Sequence, residues 1–99
     1  MSNTEERKKN IEILVKASVL AQSKGSLSLK DASVVHSSIK ALSSKESPQN
    51  EKEFLDTLIQ ASVLGQKGGA YTLDDANAIF HAVKWFEENE PKIQEVKEL

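Results

Sequence analysis

Apolar residues return every three or four positions in four stretches of this chain, and polar runs separate those stretches. That spacing predicts amphipathic helices, since a half-buried strand would alternate instead. The first helix is expected over 5–23, with a polar line of Glu5, Lys8, Lys9, Glu12 and Lys16. Glu12 stands four residues before Lys16, the favourable order for an ion pair along a helix. Its apolar residues Ile11, Ile13, Leu14, Val15, Ala17, Leu20 and Ala21 span more than the roughly 100° arc of an ordinary surface helix. Such a helix is touched from more than one side, by several neighbours or by another subunit. The second, over 29–42, offers Leu29, Ala32, Val35, Ile39 and Leu42 to a core. The third, over 48–66, opens with Ser47 as cap and Pro48 in first position, where a missing N–H costs nothing. It offers Phe54, Leu55, Leu58, Ile59, Ala61 and Leu64. The fourth starts after Thr72 and turns Leu73, Ala76, Ile79, Phe80, Val83 and Phe86 inward. Glu87, Glu88 and Glu90 oppose the dipole at its end, so the helix is expected to weaken near Glu88, ahead of Pro91. Residues 1–4 can bury nothing and are expected to fray. A short helical tail over 89–99 holds only if Ile93, Val96 or Leu99 docks on something.

The same wording occurs twice. Residues 17–42 and 61–86 align without a gap at a constant offset of 44, with ten identities over 26 positions. Ala17/Ala61, Ser18/Ser62, Val19/Val63 and Leu20/Leu64 are the first four. A period of this length marks one supersecondary unit that cannot bury its apolar face alone. Both copies also carry the same stop and start signals. Gly25 and Gly69 can close a helix in the left-handed conformation that a Cβ disfavours. Ser28 with Asp31, and Thr72 with Asp75, match a capping box with Asp in place of the usual Glu or Gln. The expected fold is all-α: a compact four-helix bundle of two helix-turn-helix units in a single domain. The first unit runs over about 5–43, a linker over 44–47, the second unit over about 48–88, and the tail over 89–99. Up-down order and a splayed pair of hairpins both fit the pattern.

Composition adds little to this picture. The 99 residues suffice for one core. A formal charge of −2, from 13 basic and 15 acidic residues, carries no long-range attraction for nucleic acid or an anionic membrane. Arg7, Lys8 and Lys9 lie beside Glu5 and Glu6, too small a cluster to neutralise several phosphates. The absence of cysteine excludes disulfides and thiolate chemistry and fits a reducing, cytoplasmic setting. No run approaches the roughly 18 apolar residues of a membrane span. A soluble protein with neither nucleic-acid nor membrane partner is expected.

Candidate chemistry is sparse. Gly25-x-Leu27-Ser28-x-x-Asp31 and Gly69-x-Tyr71-Thr72-x-x-Asp75 resemble the second half of an EF-hand calcium loop. The resemblance implies paired EF-hands, yet the first half departs from the pattern: Leu20, Gln22 and Lys24, and Leu64, Gln66 and Gly68, stand where oxygen ligands belong. Calcium needs six or more oxygens, several of them charged, so capping explains these residues better and no metal or other cofactor is expected. Most of each repeat, residues 57–86 best, is also similar to small helical proteins of large DNA viruses and phages, around the string from Gln66 to Ala76. That resemblance implies a viral origin and a place in the virion or infected-cell cytoplasm, and supplies no activity. His36 and His81 lack an acid or second histidine at metal-pair spacing. His36 is expected to be a partly buried structural residue, and His81 to touch Trp85 one turn on. No nucleophile elbow, catalytic triad or phosphate loop is present, so catalysis is not expected.

Shape remains. Ala78, Ala82 and Trp85 on the fourth helix, and Val34, Ser38 and Ala41 on the second, form an additional stripe away from the expected core. With Val19 they make a candidate interaction surface anchored by tryptophan, unless the tail covers Trp85 through Ile93 or Val96. The expected role is a non-catalytic structural or protein-interaction module that self-associates as a homodimer. The alternative is a calcium-independent, EF-hand-like adaptor that receives a partner's helix.

Overall fold

The computed structural model describes residues 2–43 and 51–89. Four helices account for nearly all of them: α1 (Ser2–Ser23), α2 (Leu29–Ser43), α3 (Glu51–Lys67) and α4 (Leu73–Asn89). No strand occurs among the described residues. The backbone is helical already at Ser2, so the fraying expected of residues 1–4 is not seen over 2–4; Met1 lies outside the described residues. Glu5 in the first turn suits the dipole there. Helix α4 likewise continues to Asn89 despite its acids. The Asn89 side chain donates to the Trp85 carbonyl at 2.8 Å, serving one of the acceptors a helix end leaves open. The Ser47–Pro48 start, the linker and the tail beyond Asn89 lie outside the described residues.

The two units share one core, and they do so by crossing rather than by stacking. Helix α1 packs most extensively on α3, α2 packs on α3, and α4 packs on α1. Within each unit the two helices touch only slightly. This is the splayed pair of hairpins, since up-down order would have made α1 with α2, and α3 with α4, the principal contacts. It also explains the broad apolar face of α1, which meets α3 and α4 and, more lightly, α2.

Repeat-equivalent residues build the crossing. Leu14, Ala17, Ser18 and Ala21 of α1 are buried, as are Leu58, Ala61 and Ser62 of α3, with Gly65 buried as well. Small side chains at these positions allow close approach, because interaxial distance follows the side chains at the contact. The two serines tolerate full burial by donating to the carbonyl one turn back: Ser18 Oγ to Leu14 O and Ser62 Oγ to Leu58 O, each at 2.9 Å. Around this centre lie Leu55 and Ile59 of α3, Val35 and Ser38 of α2, and Ile79, Ala82, Val83 and Phe86 of α4. Arg7 lies over the Phe86 ring at 6.0 Å, joining the start of α1 to the end of α4.

The copies differ most at one place. Gly65 of α3 stands where α1 has Ala21, and Tyr71 where the first copy has Leu27. The tyrosine fills the room the missing methyl leaves: a Cβ on Gly65 would lie 2.6 Å from Tyr71 Cζ and 2.9 Å from Ala21 Cβ. Its hydroxyl donates to the Ala17 carbonyl at 2.7 Å, a hydrogen bond between the two units. Burial pushes the Tyr71 phenol up to about 12; the Asp75 carboxylate adds to the rise and a hydrogen bond with Ser62 opposes it.

Candidate interaction surfaces

The two turns are built alike. Gly25 and Gly69 adopt φ of +79° and +75°. At the first, Ser26 N–H donates to Ala21 O at 2.8 Å and Gly25 N–H to Gln22 O at 3.0 Å. At the second, Ala70 N–H donates to Gly65 O at 2.9 Å and Gly69 N–H to Gln66 O at 3.1 Å. These are the paired bonds of a Schellman motif. Three residues on, Asp31 N–H donates to Ser28 Oγ at 3.0 Å and Asp75 N–H to Thr72 Oγ1 at 3.1 Å. Asp75 Oδ2 accepts from Thr72 N–H at 3.5 Å, a long reciprocal contact. Leu27 with Ala32, and Tyr71 with Ala76, stand just before each cap and four residues after it, the arrangement that fixes chain entry. The segments resembling a calcium loop are thus helix caps. Among the described residues, no three His, Asp or Glu side chains lie together in a way that could hold a metal ion.

Because each helix pair is splayed, a groove opens between its members. The groove between α1 and α2 has a volume of about 280 Å³ and is lined chiefly by Val19, Leu27, Ala32, Val35, His36 and Ile39. Its counterpart between α3 and α4 is about 320 Å³, with Tyr71, Leu73, Ala76, Ile79 and Phe80 on its walls. The two are repeat equivalents, position for position, at most of these residues. A smaller groove of about 180 Å³ between α2 and α3 includes Asp31, Asp56, Thr57 and Gln60. There, burial raises the Asp56 carboxyl above the usual range, and its Oδ1 is buried without a hydrogen-bond partner among the described residues.

The expected surface residues are partly brought together. Val19 and Val34 are exposed, at 56% and 46%, and Ala78 is exposed as well. Ala41 and Trp85 are half-buried, with the Trp85 ring edge-on to Phe86 at 5.0 Å. Ala82 does not belong to the surface: it is fully buried, and its equivalent Ser38 nearly so. The inward face of each second helix lies between the two expected stripes, where only a small side chain fits against the neighbouring helix. Conversely, Leu29 and Leu73, expected in the core, are each 90% exposed, and Phe80 is 44% exposed. Each leucine is the first residue of its helix, directly after the cap, where the helix has not yet reached its neighbour. Leu64 too is exposed rather than buried, and Phe54 is half-buried.

The histidines also differ from expectation. His36 is exposed, at the rim of the α1–α2 groove. The His81 ring meets Phe80 at 5.7 Å, while Trp85 turns to Phe86. The signal for the exposed leucines was present in the sequence, because a residue directly after an N-cap lies beyond the first turn's packing. No protein-family model, curated protein or solved structure matches the chain. No helix among the described residues is long and apolar enough to cross a membrane.

Proposed function

We propose that this protein is a non-catalytic protein-interaction module that self-associates through the outer faces of its second helices. The observation that carries this reading is the exposure of Leu29 and Leu73 at equivalent positions, each 90% accessible. Val34 adds to the apolar surface of these faces, while Phe80 and Val19 are exposed on the adjoining groove walls. Scattered single hydrophobes need no explanation, but the same leucine left bare in both copies, beside further apolar residues, marks a face made for contact. With α1 already covered by α3 and α4, the role in association passes from α1 to α2 and α4. Sedimentation equilibrium tests this: wild type should give a mass near twice 10.9 kDa or above, and Leu29→Ser with Leu73→Ser should return it to monomer. A strict monomer at every concentration would remove the self-association reading.

The two apolar grooves favour a second reading, an adaptor that receives a partner's amphipathic helix without calcium. In that case the grooves are the site, so Ala32→Glu and Ala76→Glu, which fill them with charge, should abolish partner binding while leaving the mass of the isolated protein unchanged.

A further inference from the structure

Two helix faces outside the core are complementary to each other. On α2, Lys30, Val34, Ser37 and Ala41 fall on one line at helical spacing; on α4 their repeat equivalents are Asp74, Ala78, His81 and Trp85. The first three of each set are exposed and the fourth is half-buried. Position by position the pairs differ in opposite senses. Lysine faces aspartate, valine alanine, serine histidine, and alanine tryptophan. The exposed Leu29 and Leu73 stand beside the charged pair.

Lys30 is unusual in its own helix. A cation in the first turn opposes the dipole, whereas Asp74 at the same place in α4 suits it. Neither residue makes an ion pair with another described residue. Asp31 in the same turn suits the dipole, but no acid in the described fold pairs with the lysine itself. The chain as a whole shows the same polarity: residues 1–50 hold eight basic and five acidic side chains, and the remainder five basic and ten acidic, together the 13 and 15 of the full sequence.

We propose that copies of this chain associate by laying the α2 face of one copy along the α4 face of another. Lys30 then stands opposite Asp74, Val34 packs over Ala78, and Ala41 leaves room for the accessible edge of Trp85. Leu29 and Leu73, about 100° round their helices, flank that end of the contact. In the same parallel register, pairing α2 with α2 or α4 with α4 would bring like charges together, and α4 with α4 would also set Trp85 against Trp85, which disfavours those pairings. The inference rests on the self-association proposed above and names its geometry.

The test uses two charge reversals on the full chain, followed by sedimentation and by far-UV circular dichroism. Lys30→Asp gives a copy with acid on both faces; Asp74→Lys gives one with lysine on both. Each alone should lose association by at least about tenfold, from like charges brought together at the contact. Mixed in equal amounts, the two variants should associate again, each supplying the charge the other lacks. Wild-type association should weaken with added salt, as an attraction between exposed charges does. Misfolding does not reproduce recovery on mixing, and Lys30→Asp removes a conflict with the dipole. If wild type associates but the variants match it, or mixing restores nothing, this contact is wrong and the self-association reading survives. If wild type is monomeric throughout, both fail.

Discussion

Replacing Gly65 with alanine tests how the two units are fitted together. Alanine stabilises a helix interior by about 1 kcal/mol relative to glycine, so an open site would gain. Here the new methyl would lie 2.6 Å from Tyr71 Cζ and 2.9 Å from Ala21 Cβ. Tyr71 cannot withdraw freely, because its hydroxyl holds the Ala17 carbonyl at 2.7 Å. Overpacking of this kind costs about 1–3 kcal/mol, and a lost hydrogen bond about 1 kcal/mol more. The net expectation for Gly65→Ala is a loss of about 1–3 kcal/mol. Tyr71→Leu alone removes the hydrogen bond and leaves a void, for a loss of about 1–3 kcal/mol. The double variant recreates the Ala21–Leu27 pair of the first copy. The alanine then keeps its helix advantage and fills the void, so the double should be more stable than the sum of the singles by at least about 1 kcal/mol. Urea denaturation of all four proteins at one concentration measures the coupling. Additivity within about 0.5 kcal/mol would refute the argument.

Other outcomes follow from the same packing. Gly25→Ala and Gly69→Ala should each destabilise by about 1 kcal/mol from the positive φ alone, since no atom lies within 4 Å of the added Cβ in either turn. Asparagine at the same sites should recover part of the loss in thermal melts. The chain has a single tyrosine, so Tyr71 can be followed by phenolate absorbance. Its folded phenol is raised from 10.0 to about 12, and stability should therefore be intact below the unfolded value and fall as pH rises through the folded one, a decline that Tyr71→Phe should flatten. Asp56 shifts upward too, through burial. Its ionised form weakens the fold at neutral pH, and the penalty is relieved as pH falls through the raised folded value. Asp56→Asn should raise the urea midpoint at pH 7, with the gain shrinking in acid; an unchanged midpoint would mean the carboxylate is adequately solvated.

Local signals in the sequence were the readable ones. The glycine stops and Ser28–Asp31 and Thr72–Asp75 starts depend on residues within one turn, and their hydrogen bonds form where expected. The repeat likewise gave the four helices and their order in two units, but left open which helix packs on which. Which face of each second helix is buried was less legible. Counting large apolar residues points to Leu29, Leu73 and Phe80, whereas the buried line runs through Val35 and Ser38, and through Ile79, Ala82, Val83 and Phe86. Alanine and serine carry little hydrophobic signal, yet they are what fits where helices cross closely. Identical residues also meet different surroundings: Val63 is buried, while its equivalent Val19 is 56% exposed. That difference arises from the asymmetry of the packed units, which pattern along one chain does not contain. The Gly65–Tyr71 exchange is of the same kind, a pair of substitutions far apart in sequence that make sense only together.

The account stands most directly on whether the bare leucines meet another copy of the chain. Sedimentation equilibrium of the wild-type protein, over a concentration series at low and high salt, measures this. A mass at or above twice 10.9 kDa that falls on dilution and with salt is the predicted result. A constant mass of 10.9 kDa across the series would contradict it and leave the grooves as the surface to pursue.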